Sequence, residues 1–97
     1  MTTYITLLKF TQKGIENIKE SPSRLDASKK AFKAAGGELK AFYLTMGSYD
    51  AIVISEAPDD TIYSKLILSI ASKGAVQTET LRAFPEDEYR KIIAALP

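Results

Sequence analysis

Strand-like runs that are apolar on both faces set the strongest limit on what this 97-residue chain can become. In Tyr4-Ile5-Thr6-Leu7-Leu8-Lys9-Phe10, side-chain alternation puts Tyr4, Leu8 and Phe10 on one side and Ile5 and Leu7 on the other. Leu39-Lys40-Ala41-Phe42-Tyr43-Leu44-Thr45-Met46 likewise sets Phe42, Leu44 and Met46 opposite Leu39, Ala41 and Tyr43. An antiparallel sheet with one wet face shows clean polar alternation, so these strands need cover on both sides. A chain of this length supplies one domain and one modest core. It can cover one face of such a sheet; the other calls for a second molecule.

The remaining segments supply the first cover. Ser21-Pro22 reads as an N-cap followed by proline at the first helical position, and Gly36-Gly37 as a left-handed stop. Between them Leu25, Ser28, Phe32 and Ala35 recur at helical spacing, with Lys29, Lys30 and Lys33 as a solvated face. A hairpin follows, its strands Leu39–Met46 and Tyr49–Glu56 joined at Gly47-Ser48. Pro58-Asp59-Asp60 starts a second helix, which ends near Gly74 and carries Ile62, Leu66, Ile67, Ile70 and Ala71 as an apolar stripe. Val76–Phe84 is a last strand, and Pro85 opens a short helix with Tyr89, Ile92, Ile93 and Leu96. The residues before Ser21, with Ile15 and Ile18, read as a turn. The order is βαββαβ plus a C-terminal helix: a ferredoxin-like α+β fold in which two crossover helices lie on one face of a four-stranded antiparallel sheet. The bare face predicts a homodimer whose sheets enclose a dimeric α/β-barrel.

Composition narrows the chemistry. The chain has no cysteine and no histidine, which closes the thiolate, imidazole, triad and Cys/His metal chemistries. Thirteen basic and twelve acidic side chains leave a net charge of +1, so the charge balance predicts no nucleic-acid binding. Glu86, Asp87 and Glu88 favour a helix dipole and form no convergent metal set, and no cofactor is expected. The N-terminus Met1-Thr2-Thr3-Tyr4-Ile5 lacks the pattern of a secretory signal, and no apolar run is long enough to span a bilayer. A cytoplasmic protein without membrane association is expected.

Four blocks together resemble the GYD domain family: Gly47-Ser48-Tyr49-Asp50 at the hairpin, Ser21-Pro22-Ser23-Arg24-Leu25-Asp26-Ala27 before it, Glu56-Ala57-Pro58-Asp59-Asp60 after it, and Thr78-Glu79-Thr80-Leu81-Arg82-Ala83-Phe84 near the end. The resemblance covers nearly the whole chain, as one GYD-like domain over residues 1–97. It implies a dimeric barrel of the ferredoxin-like type and assigns no biochemical role. Ser48 departs from the longer polar or charged residue usual at that position. Proteins of the same broad fold include cofactor-free oxygenases and ligand-sensing domains, and fold alone does not transfer function.

Within this frame Gly47, Tyr49 and Asp50 form the motif of interest: Gly47 permits positive φ in the turn, Tyr49 offers a ring and a hydroxyl, and Asp50 can accept turn amides or face an arginine. Arg82, on a strand face otherwise small or apolar, is expected to pair with Asp50, Glu56 or Glu79, or to anchor an anionic ligand. Tyr4, Tyr43, Tyr49 and Tyr63 offer hydroxyls to a shared cavity or simply pack in a dimer core. Two functions are consistent with this set. One is a small homodimeric protein that binds a small molecule or a protein partner; the other is a cofactor-independent oxygenase or isomerase, acting on an aromatic or quinone-like substrate oriented by Tyr49, Asp50 and Arg82.

Overall fold

The computed structural model describes Met1–Pro97. Its first strand, β1 (Thr2–Phe10), is flanked on both sides, and the remaining elements are arranged around it. There follow α1 (Gln12–Glu16), a 3₁₀ turn (Ile18–Glu20), α2 (Ser21–Ala34), β2 (Glu38–Leu44), β3 (Ala51–Ala57), α3 (Asp60–Ser72), β4 (Val76–Ala83) and α4 (Glu86–Ala94). The sheet order is β2-β3-β1-β4, antiparallel throughout, which is the ferredoxin-like arrangement expected from the sequence. No helix is long and apolar enough to cross a membrane.

Register decides which side chains meet the helices. Tyr4, Thr6 and Leu8 of β1 stand beside Ser55, Val53 and Ala51 of β3, and all six are buried under α2 and α3. Tyr4, Phe32, Ala57 and Tyr63 make one core cluster, packed by Leu66, Ile67 and Ile70 of α3. Leu8, Ala51 and Val53 make the second, with Phe42 and Val76 against it. The opposite parity, Ile5, Leu7, Ile52, Ile54 and Leu81, forms an apolar face that no element of this chain covers.

Three local expectations are corrected. The stretch before Ser21 is helical, not a plain turn: the Thr11 hydroxyl accepts the Gly14 amide and caps α1. Ser21 is the first residue of α2, not its N-cap, because the 3₁₀ turn runs straight into the helix and Glu20 ahead of it is already in helical conformation. Strand β2 carries a bulge between Leu39 and Ala41, so two of its residues oppose one of β3. Leu39 and Phe42 therefore share the helix-facing side instead of lying on opposite faces.

The hairpin loop is also longer than the sequence suggests. β2 stops at Leu44 and β3 starts at Ala51, leaving Thr45–Asp50 outside both strands, with Gly47 at φ +119°. Asp50 ties this loop down. Its amide donates to the Leu8 carbonyl at 2.8 Å, its carboxylate accepts the Phe10 amide at 2.8 Å, and its carbonyl accepts the Thr45 amide at 2.9 Å. Replacing Asp50 with alanine is expected to cost about 1–3 kcal/mol, while Asp50→Asn, which keeps an acceptor, costs less. Urea unfolding midpoints of the two variants at constant m-value check this.

Candidate functional site

Strand parity divides the candidate residues between the two faces of the sheet. Tyr49 lies at the open face, where its hydroxyl donates to Glu79 at 2.9 Å and its ring sits 5.3 Å from the Lys9 ammonium. The hydrogen bond to the Glu79 carboxylate pushes the Tyr49 phenol pKa upward, since ionising it would remove the donor and set two anions side by side. Tyr43 is on the same face, opposite Ile52, and 60% exposed. Tyr4 and Tyr63 are on the other side, inside the core. The four tyrosines do not share a cavity.

Arg82 points to the helix side, directly across from Tyr4. Its guanidinium lies 4.3 Å from the Phe84 ring centroid and donates to the Ala83 carbonyl at 3.3 Å. None of its expected carboxylate partners pairs with it. Glu56 and Glu79 have the opposite parity, and Asp50 is committed to the Phe10 amide toward the far end of β1. Tyr49, Asp50 and Arg82 therefore do not converge on one point.

What does converge is a polar chain on the helix side of the sheet, buried at Thr6 and Tyr63 and reaching the surface at Thr80. The Tyr63 hydroxyl is 2.6 Å from Thr6 Oγ1 and 2.7 Å from Thr80 Oγ1, joining α3 to two neighbouring strands. The Tyr63 ring stacks on Tyr4, with centroids 3.8 Å apart and planes 12° from parallel, and Phe32 meets it edge-on. Tyr4 donates to Asp60 Oδ1 at 2.5 Å, while Asp59, one residue earlier, caps α3 through the Ile62 amide. Thr6 and Thr80 are cross-strand neighbours, so a polar pair at core parity in the sequence is the signal that points to this chain. Asp60 reads in the sequence only as a helix-dipole carboxylate.

Burial is the main cause that raises Tyr4 from 10.0 to about 12, followed by its hydrogen bond to Asp60 and the nearby carboxylate charge. Because the folded state holds this proton more tightly than the unfolded chain, the stability it contributes is complete below pH 10 and is lost as pH rises through about 12. The stability difference between wild type and Tyr4→Phe should therefore shrink across that window, as measured by denaturant unfolding at successive pH values. A constant difference would contradict the assignment.

A second concave feature lies between the helices and the sheet: a cavity of about 80 Å³ whose only polar lining residues are Thr6, Ser21, Arg24 and Ser28. Arg24 and Ser21 face inward from α2, and neither stands out in the sequence as a cavity residue, because α2 reads there as a lysine-rich amphipathic helix. No three carboxylates come together in a way that could hold a metal ion.

Fold and site together define a small ferredoxin-like α+β domain with a polar-threaded core and one uncovered sheet face. The chain belongs to the GYD domain family, whose model matches residues 4–93. It is 33% identical over 86 residues to the glutamine synthetase and cystathionine beta-lyase binding protein of Thermus thermophilus, an alignment covering 88% of this chain and 90% of that one. Among solved structures it resembles a feast or famine regulatory protein from M. tuberculosis complexed with L-methionine. The TM-score is 0.66 at 11% identity, over 87% of this chain and 50% of that one. A second structure, of an FFRP protein, superposes with a TM-score of 0.62 at 21% identity, over 87% of this chain and all of the other. A third, of a protein from Thermus thermophilus, gives 0.55 at 23% identity, over 87% of this chain and 94% of that one. At these identities the structural likenesses establish the fold alone.

Proposed function

We propose that the chain acts as a homodimeric binding module whose partner is a folded enzyme. The observation that carries the dimer is the uncovered apolar sheet face. Ile5, Leu7, Ile52 and Ile54 lie across its centre, with Leu81 48% exposed at one side. The surface area is 6603 Å², against about 5,500 Å² for a folded monomer of 10.7 kDa. That excess of about 1,100 Å² exceeds the roughly 800 Å² that each partner buries in a standard interface.

The last helix adds to this reading. Tyr89, Ile92 and Ile93 follow the i, i+3, i+4 spacing of one helical stripe and are all at least 45% exposed, and Leu96, just beyond the helix end and not within it as the sequence suggests, is 62% exposed. α4 makes little contact with its own domain, and the molecule is accordingly extended, with a radius of gyration of 14.6 Å against about 12.5 Å for a compact chain of this length. In a two-fold dimer an arm of this kind clasps the second copy, and the apolar stripe becomes interior. The enzyme-binding half of the proposal is supported by the name of the Thermus relative. A dimer presents each outward surface twice, which raises the avidity for a multi-subunit partner.

The test is a titration of the purified chain against glutamine synthetase and cystathionine β-lyase from the same organism, followed by calorimetry. Wild type is expected to bind at least one of them. Ile54→Lys, which puts a charge into the apolar sheet face, should weaken dimerisation at least about a hundredfold and weaken partner binding with it. An unchanged dimer in that variant contradicts the sheet-to-sheet arrangement, and no affinity for either enzyme contradicts this choice of partner.

A further inference from the structure

The second core cluster lacks the lid that the first one has. Tyr4, Phe32, Ala57 and Tyr63 are packed over by Leu66, Ile67 and Ile70 of α3. The side chains packed on Leu8, Ala51 and Val53 come from strands alone: Leu39 and Phe42 of β2 and Val76 of β4. Among the strands, α2 mainly meets β2 and α3 mainly meets β4, so the two helices part over the middle of the sheet. The cavity of about 80 Å³ lies in this gap, with Leu8, Phe42, Val53 and Val76 on the sheet side and Leu25 and Ile67 on the helix side. Leu8 and Val53 are accordingly the least buried residues of the core, and Leu25, Phe42 and Ile67 are only half-buried, so the space opens toward solvent. Protein interiors are close-packed, and a void between apolar walls forfeits contacts that an occupant would restore.

The polar groups around the gap restrict that occupant to an uncharged one. Thr6 is engaged with the Tyr63 hydroxyl at 2.6 Å, and Ser28 donates to the Arg24 carbonyl at 3.0 Å. The Arg24 charge is held elsewhere: Nη1 donates to the Asn17 carbonyl at 3.1 Å beside Glu20, and Nη2 is buried too deeply for any ligand to touch. Ser21 adds only a neutral hydroxyl, and no carboxylate or lysine lines the space. A carboxylate or an ammonium entering here would lose its hydration and meet no partner.

We propose that this gap is a binding site for a compact, uncharged apolar molecule, an aliphatic body of about three to five carbon atoms seated between Leu25, Phe42, Val53 and Ile67. An apolar cavity of about 150 Å³ stays dry and takes up benzene, so by proportion about 80 Å³ takes about three carbons, and the open mouth admits one or two more. Seating such a body removes its own surface and part of the wall from water together, with no charged group to desolvate on either side. The site lies on the helix side of the sheet, so it depends neither on the use of the open face nor on the enzyme partner proposed above.

The probes are xenon and 2-methyl-1-propanol, each titrated into the intact protein and followed by methyl NMR shifts. The ammonium form of 2-methylpropan-1-amine and 2-methylpropanoate serve as a cation and an anion of nearly the same shape. Saturable shifts at the Leu8, Leu25, Val53 and Ile67 methyl groups are expected for xenon and the alcohol, with the alcohol bound at least about tenfold more tightly than either ion. Ser28→Leu, which puts an aliphatic side chain into the gap, should weaken alcohol binding at least about tenfold and leave the urea midpoint unchanged or higher. Absence of saturable shifts up to about 100 mM alcohol, shifts located away from the cavity, or an ion bound as tightly as the alcohol would each overturn the proposal. So would undiminished binding in a folded Ser28→Leu variant. The comparison of alcohol with ions on the wild-type chain decides the matter even if that variant fails to fold.

Discussion

Everything in this fold depends on the parity of β1. As an inner strand it has no free edge, and its alternation commits Tyr4, Thr6 and Leu8 to the helices and Ile5 and Leu7 to the far side. A slip of one residue would exchange the two sets. Thr6 would lose Tyr63, Tyr4 would lose Asp60 and its stack, and Ile5 and Leu7 would enter a core whose space is shaped for a pair of tyrosines. The hydrogen-bonded chain from Thr6 through Tyr63 to Thr80 is satisfied only in the native register, so it adds specificity to an arrangement that burial alone specifies weakly. With apolar residues on both sides of the strand, hydrophobicity gives little preference between the faces; hydroxyl partners do.

The same ambiguity explains what could and could not be read from the sequence. Element order was legible because proline, glycine and acidic helix starts punctuate it: Pro58-Asp59-Asp60 begins α3 as expected, with Asp59 as the cap, and Gly36 at φ +84° follows α2. The bulge in β2 was not legible, since nothing in Leu39-Lys40-Ala41 distinguishes an extra residue from regular pairing. Its effect was to place Leu39 with Phe42. Nor was the longer loop: Tyr49 and Asp50 resemble strand residues, and only the hydrogen bonds of Asp50 to the end of β1 show that they shape the turn.

Site residues were harder still, because function at a distance in sequence has no local signature. Tyr4 and Tyr63 are 59 positions apart yet stacked, and Arg82 is separated from its expected carboxylates by strand parity. Arg24 enters the sequence reading only inside a family block, and the burial of its Nη2 atom is visible only in three dimensions. The Gly47-Tyr49-Asp50 motif, in turn, is accounted for by its local bonds: Gly47 supplies positive φ, Asp50 anchors the loop, and Tyr49 reaches Glu79 across the open face.

The open apolar face of the sheet calls for cover by a second copy. Sedimentation equilibrium of the wild-type chain tests that requirement directly. A mass of twice 10.7 kDa, persisting on dilution to low micromolar concentration, is expected. A stable 10.7 kDa species at about 100 μM would contradict it, because the apolar sheet face would then have to remain in contact with water.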